Sequence, residues 1–165
     1  MERGYMLFIY NLISISVLFM MLYILYTLDY TLLLGEMACT FIQYCSKEIT
    51  HGWYPPIFKR PDGATDCSLF NTGGIVDDKS GFPSGHVASI SLFMEMMRLR
   101  SKNNDWYSTF KYNIPIWLVA YARYMKGCHN LIQIAAGYLL GYGVANIVYK
   151  YEANIKNYIQ SIFHK

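Results

Sequence analysis

Apolar residues in this chain fall into five blocks, with polar residues in the gaps between them. The first block, Met6 to Leu28, contains no charged residue and is long enough to cross a bilayer. A signal peptide is the other reading of such a run. The stretch is longer than a usual signal core and no small-residue cleavage site follows it, which favours a retained first helix. Asp29-Tyr30 marks a tight turn, and the second block runs from about Leu32 to Ser46. The third covers Ser84 to Leu99 and the fourth Trp106 to Tyr124, with Pro115 as a kink of the kind membrane helices accommodate. The fifth covers Asn130 to Tyr149. The tail from Lys150 to Lys165 is polar, but Ile155, Ile159 and Ile162 recur at helical spacing, which predicts a short interfacial helix. The pattern predicts an all-α, polytopic membrane bundle of about five transmembrane helices. It forms one domain over 1–165, divided into N-terminal helices over 1–46, a core over 47–149 and the tail over 150–165.

One gap differs from the others. Lys47 to Phe82 is a long loop holding Pro55, Pro56, Pro61 and several glycines, and it ends at Pro83, a residue suited to the first turn of a helix. Loops of this length in compact domains are functional or disordered. With five crossings, this loop shares one face with the Arg123–His129 link, and the Arg98–Lys111 link shares the other with the tail. The second face is rich in Lys and Arg with few acids, although the raw Lys and Arg totals of the two faces are similar. The positive-inside tendency then points the tail to the cytoplasm and the loop to the lumenal or external side of an endomembrane or plasma membrane.

Composition agrees with a membrane setting. The chain is 54% hydrophobic and only 15% charged, against about 25% charged in a soluble domain. The 16 tyrosines lower its mean hydropathy, but Tyr and Trp favour membrane–water interfaces. A net charge of +3 without a basic, aromatic-laced stripe makes nucleic acid an unexpected partner. Cys39, Cys45, Cys67 and Cys128 lack zinc-finger spacing. Cys39 and Cys45 fall in the second block as small hydrophobes. Cys67 and Cys128 face one predicted compartment, where a disulfide is one option.

The residues that carry chemistry gather on the loop face. Pro83-Ser84-Gly85-His86 opens the third block. Backbone N–H groups and the helix dipole favour an anion at such a helix start; Ser84 adds a hydroxyl donor and Gly85 lets the backbone come close. Arg60, followed by Pro61, and Arg123 each offer a bidentate fork for phosphate oxygens. His129 follows Arg123 after five residues. His129, Gln133, Gly137 and Gly141 are spaced by four and form one helical stripe, polar at the site end and then a small-residue packing seam. His51 and His164 read as ordinary loop and tail histidines. Glu36 and Glu95 read as acids that reach water from near helix ends, and Asp77-Asp78 as a solvated turn.

These motifs resemble the type-2 phosphatidic acid phosphatases, whose core is shared with glucose-6-phosphatase, dolichyl-diphosphate phosphatase and the vanadium haloperoxidases. The family pattern is a Lys, six residues and Arg-Pro; then Pro-Ser-Gly-His; then Ser-Arg, five residues, His, three residues and Asp. Pro83-Ser84-Gly85-His86 matches the second motif in full, Arg60-Pro61 the end of the first, and Arg123 with His129 the third, so the likeness covers about Lys47 to Gly141. It implies that His129 attacks phosphorus to give a transient phosphohistidine. His86 then protonates the leaving oxygen and later helps activate water. Arg60, Ser84, the Gly85 amide and Arg123 stabilise the transition state. No metal or cofactor is implied, and the expected substrate is a lipid phosphate or an isoprenyl diphosphate drawn from the membrane.

Three positions depart from the pattern. Trp53 stands where the family has its Lys, with Lys59 and Lys47 as the candidates to replace it. Ala122 stands where the family has Ser. Gln133 stands where the family has an Asp that supports the nucleophilic His. The Gln carbonyl can orient the ring but supplies no charge, and in a serine-protease triad the analogous Asp→Asn change costs ~10,000-fold in rate. Asp62, Asp66, Asp77 and Asp78 are candidate substitutes. The alternative of another class is a catalytically impaired pseudophosphatase that binds phospholipid headgroups or a partner protein. A soluble-type haloperoxidase fits a membrane chain less well, and a transporter-like bundle lacks any repeat of the hydropathy pattern.

Overall fold

The computed structural model describes residues 2–52, 55, 57–103 and 105–163. Trp53 and His164 lie outside them. Five helices follow in order: α1 (Glu2–Thr27), α2 (Tyr30–Thr50), α3 (Gly85–Ser101), α4 (Trp106–Met125) and α5 (Leu131–Phe163). Among the described residues there is no strand; the long loop contains two isolated antiparallel bridges, Lys59 with Ser80 and Thr65 with Ile75.

Local sequence sets the boundaries. Leu28 takes a positive φ that ends α1. Asp29 caps α2, its carboxylate accepting from the Leu32 amide at 3.1 Å. Asp105 caps α4 in the same way through the Ser108 amide at 2.7 Å. Such caps satisfy amides that a helix start leaves without partners. α4 runs unbroken through Pro115.

α3 is the centre of the bundle and packs against the other four helices. Its Val87, Ala88, Leu92 and Met96 join Leu32 and Cys39 of α2, Val119 of α4 and Ala145 of α5 in the core. The predicted glycine seam explains the closest crossing. A Cβ on Gly137 would fall 2.5 Å from the Ser84 carbonyl oxygen, and one on Gly141 would overlap that of Ala88. The outer surface is apolar: Phe8 and Phe19 of α1, Phe41 of α2, Trp117 of α4 and Leu139 of α5 are all exposed, whereas α3 contributes no exposed large hydrophobic side chain.

Two expectations change. The tail does not form a separate interfacial helix; it continues α5 to Phe163, because no Gly or Pro interrupts the sequence after Gly143. Among the described residues two stretches, Tyr5–Thr27 and Leu131–Ile162, are long and apolar enough to cross a membrane. The interior faces of α2 and α3 carry polar side chains that lower their hydropathy. Glu36 and Glu95 are among these, and both are buried rather than extended to water. Glu36 accepts from the Ser89 hydroxyl, and Glu95 pairs with Arg98 at 2.7 Å.

Candidate active site

The long loop folds back on itself over the end of the bundle where α3 and α5 begin. The Gly81 amide donates to the Phe58 carbonyl at 2.8 Å, and the Arg60 amide to that of Lys79 at 3.3 Å. The Phe58 and Phe82 rings meet edge to face at 5.1 Å. Asp66 and Asp77 accept from the amides of Gly74 and Gly63, and Asp62 pairs with Lys59 at the surface. Asp78 is exposed at the cavity rim. None of these four acids is the hydrogen-bond partner of His129 among the described residues; that partner is Gln133.

A disulfide joins Cys67 to Cys128 with their Cα atoms 5.6 Å apart, which resolves the option the sequence left open. It ties the loop to the link before α5. Each half-cystine also holds one arginine: Arg60 Nη1 donates to the Cys128 carbonyl at 2.9 Å, and Arg123 Nη2 to the Cys67 carbonyl at 2.5 Å. Neither arginine is paired with a carboxylate among the described residues.

A cavity of about 660 Å³ opens at this end, lined in part by Lys47, Arg60, Gly85, His86 and His129. Ser84, Arg123 and Gln133 do not line it; each is fully buried behind the wall. The Ser84 amide donates to the Gln133 carbonyl at 3.0 Å, joining the start of α3 to α5. Of the two lysines weighed for the missing first-motif Lys, Lys59 is paired with Asp62 and Lys47 is on the cavity wall. Among the described residues seven buried side-chain N or O atoms lack a partner, and four of them are Arg60 Nε, Ser84 Oγ, His86 Nε2 and Arg123 Nε. Buried polar atoms ordinarily find partners, so their concentration beside this cavity is unusual. Among the described residues no group of three or more His, Cys, Asp or Glu side chains is placed to hold a metal ion.

The hydrogen bonds around Gln133 fix the state of His129. Gln133 Nε2 donates to two backbone carbonyls, Ile57 at 3.0 Å and Lys59 at 2.7 Å. A flipped amide would set its oxygen against both carbonyl oxygens, so Oε1 must face His129 Nδ1, which it meets at 3.1 Å. Oε1 can only accept, so Nδ1 carries the proton and Nε2 keeps its lone pair. Arg60 Nη1 lies 3.4 Å from that Nε2. Burial, then the charges of Arg60 and Arg123, hold the His129 imidazole well below its ordinary value, with the Gln133 hydrogen bond working the other way. The ring is therefore neutral, with a nucleophilic nitrogen beside a guanidinium. Burial also pushes the Arg60 guanidinium down.

Sequence reasoning did not single out Gly81, whose missing Cβ leaves room for Gln133 and Arg60 to pack against the chain. Its only signal was a glycine directly before Phe82-Pro83. The carbonyls that hold the arginines and Gln133 carry no sequence signal, because every residue has one.

His86, His129, Arg60 and the Gly85 start of α3 thus share one cavity, with Ser84 and Arg123 buried behind its wall. Residues 24–156 match the family model of the PAP2 superfamily, and the chain belongs to that superfamily. Membership supports a phosphatase-type activity on a phosphorylated substrate. No curated protein and no solved structure matches the chain significantly.

Proposed function

We propose that the protein is an integral membrane phosphatase, with 1–165 as a single domain, that hydrolyses a lipid phosphate or isoprenyl diphosphate through a phosphohistidine. The observation that carries this reading is the cluster of unpartnered buried atoms on Arg60, Ser84, His86 and Arg123, with no carboxylate paired to either arginine. In the first step the His129 Nε2 lone pair forms a bond to phosphorus, and the bond from phosphorus to the leaving oxygen breaks. His86 gives that oxygen a proton. In the second step water attacks phosphorus, His86 takes a proton from it, and the P–N bond breaks to release phosphate and restore His129. The proton on His129 Nδ1 stays there throughout, hydrogen-bonded to Gln133 Oε1. Arg60 and Lys47 face the phosphoryl oxygens, Ser84 and the Gly85 amide add donors at the start of α3, and Arg123 adds positive potential from behind the wall. These groups meet the charge without a metal ion or cofactor.

In this reading all five helices cross the bilayer, which the apolar outer faces of α1, α2, α4 and α5 support. The Cys67–Cys128 disulfide supports a lumenal or external site, because disulfides persist in oxidising compartments. A substrate at headgroup level then enters sideways from the lipid. The neutral Gln133 favours one second reading, a phospholipid-binding pseudophosphatase. Phosphate release from phosphatidic acid and an isoprenyl diphosphate, measured in detergent against His129→Ala, separates the two. The enzyme reading expects the variant to lose at least ~1,000-fold; equal rates in the two proteins contradict it.

A further inference from the structure

We propose that Gln133 is a clamp that joins the nucleophile to the Arg60 loop, and that this site is built around an amide at 133 rather than weakened by the loss of an acid. The inference rests on the phosphatase reading of His129. Its geometric basis is that both ends of one carboxamide are in use. Oε1 accepts from His129 Nδ1 at 3.1 Å and from the Asn130 amide at 3.4 Å. Nε2 donates to the carbonyls of Ile57 and Lys59, three residues and one residue before Arg60. The side chain is fully buried, and a Cβ on Gly81 would overlap its Oε1 and fall 2.9 Å from Arg60 Cγ. Loop, clamp and arginine thus form one packed unit.

A carboxylate cannot replace this group. An ionised Asp or Glu has no donor, so it would face two carbonyl oxygens in a buried place and lose both loop bonds. Buried acceptors that repel each other cost more than lost hydrogen bonds, because no water reaches them to compensate. The loop would move away, and Arg60 with it. The charge gained beside His129 would therefore come with the loss of the phosphate-facing guanidinium. The same amide lets His129 hold its Nδ1 proton without a neighbouring anion, so the ring stays neutral on the acid side of its ordinary range.

The test compares the full chain in detergent with Gln133→Glu, close in size, Gln133→Asp and Gln133→Met. Two readouts are taken: kcat/KM for phosphate release against pH, and amide hydrogen exchange at Arg60 and Gly81, whose N–H groups close the loop. We expect both acidic variants to fall about 100-fold, as misplaced catalytic groups do. We expect their residual activity to show an acid limb moved to higher pH, because a carboxylate beside His129 raises its pKa. Exchange at Arg60 and Gly81 is expected to rise in all three variants. Faster turnover in Gln133→Asp or Gln133→Glu with unchanged exchange overturns the clamp. A lower rate with an unmoved acid limb overturns the link to His129 and leaves only a loop contact. If the natural protein turns over neither lipid, the phosphatase reading fails by itself. The clamp then stands or falls on exchange alone, rising if it is right and unchanged if it is wrong.

Discussion

Arg100 and Arg60 lie at opposite ends of the bundle and are treated in opposite ways. Arg100, at the end of α3, meets Asp29 at 2.5 Å and Glu152 at 2.6 Å, and Lys156 adds a further pair to Glu152. Thr31 also accepts from it at 2.6 Å. Burial works against the Asp29 carboxylate, but bonds from Arg100, Thr31 and the Leu32 amide hold it at about 2. That end is a staple between the α1–α2 turn, α3 and α5, and its charges cancel. At the other end Arg60 and Arg123 are held by neutral groups, chiefly backbone carbonyls, with the Ser14 hydroxyl also accepting from Arg123, and among the described residues Lys47 faces the same cavity without an acid partner. Carbonyls fix a guanidinium without cancelling its charge. Where no acid pairs with these cations among the described residues, the positive potential is kept for an anion.

Breaking the uncancelled end has the largest expected effect. Arg60→Ala removes a donor that faces the reacting group and is expected to lower kcat/KM by about 100- to 1,000-fold, read by phosphate release. Replacing both Cys67 and Cys128 by Ser frees the two carbonyl anchors together. It is expected to lower the unfolding free energy by about 2–4 kcal/mol and to slow turnover even where the protein remains folded; thermal unfolding and kinetics on one sample check both. Lys47→Met is expected to cost about tenfold, mainly in KM, whereas Lys59→Met has no such effect. The pH profile sharpens the comparison further. A His129 pKa held below the ordinary 6.5 keeps the nucleophile neutral as pH falls, so the acid limb of kcat/KM lies below 6.5. The smallest effect on turnover belongs to the cancelled end. Arg100→Met is expected to leave kcat/KM unchanged while lowering stability on the order of 1–2 kcal/mol.

The part of this contrast that was legible in the sequence is the part written in local pattern. Five apolar blocks yielded five helices, and Pro83-Ser84-Gly85-His86 marked the start of α3 within a residue. The spacing of Gln133, Gly137 and Gly141 gave a packing seam, because a helix places every fourth residue on one face; His129 lies two residues before the start of α5 and meets Gln133 by a hydrogen bond rather than by helix register. What was not legible depends on contacts distant in sequence. The sequence offered Lys59 and Lys47 alike, and only the fold puts Lys47, at no motif spacing, on the cavity wall. Gln133 looked like a lost acid because its two loop partners are backbone carbonyls 74 and 76 positions away. Glu36 and Glu95 looked like acids reaching for water, because their burial comes from helix crossings, of α2 on α3 and of α3 on α5. A net charge of +3 gives no hint that one end of the molecule is neutralised and the other is not.

The most direct measurement is equilibrium binding of vanadate, a phosphate mimic, to the full chain in detergent, compared with Arg60→Ala and Arg100→Met. Saturable binding that is lost in Arg60→Ala and kept in Arg100→Met is the predicted result. No saturable binding, or equal weakening in the two variants, contradicts the claim that the uncancelled end is the phosphate site.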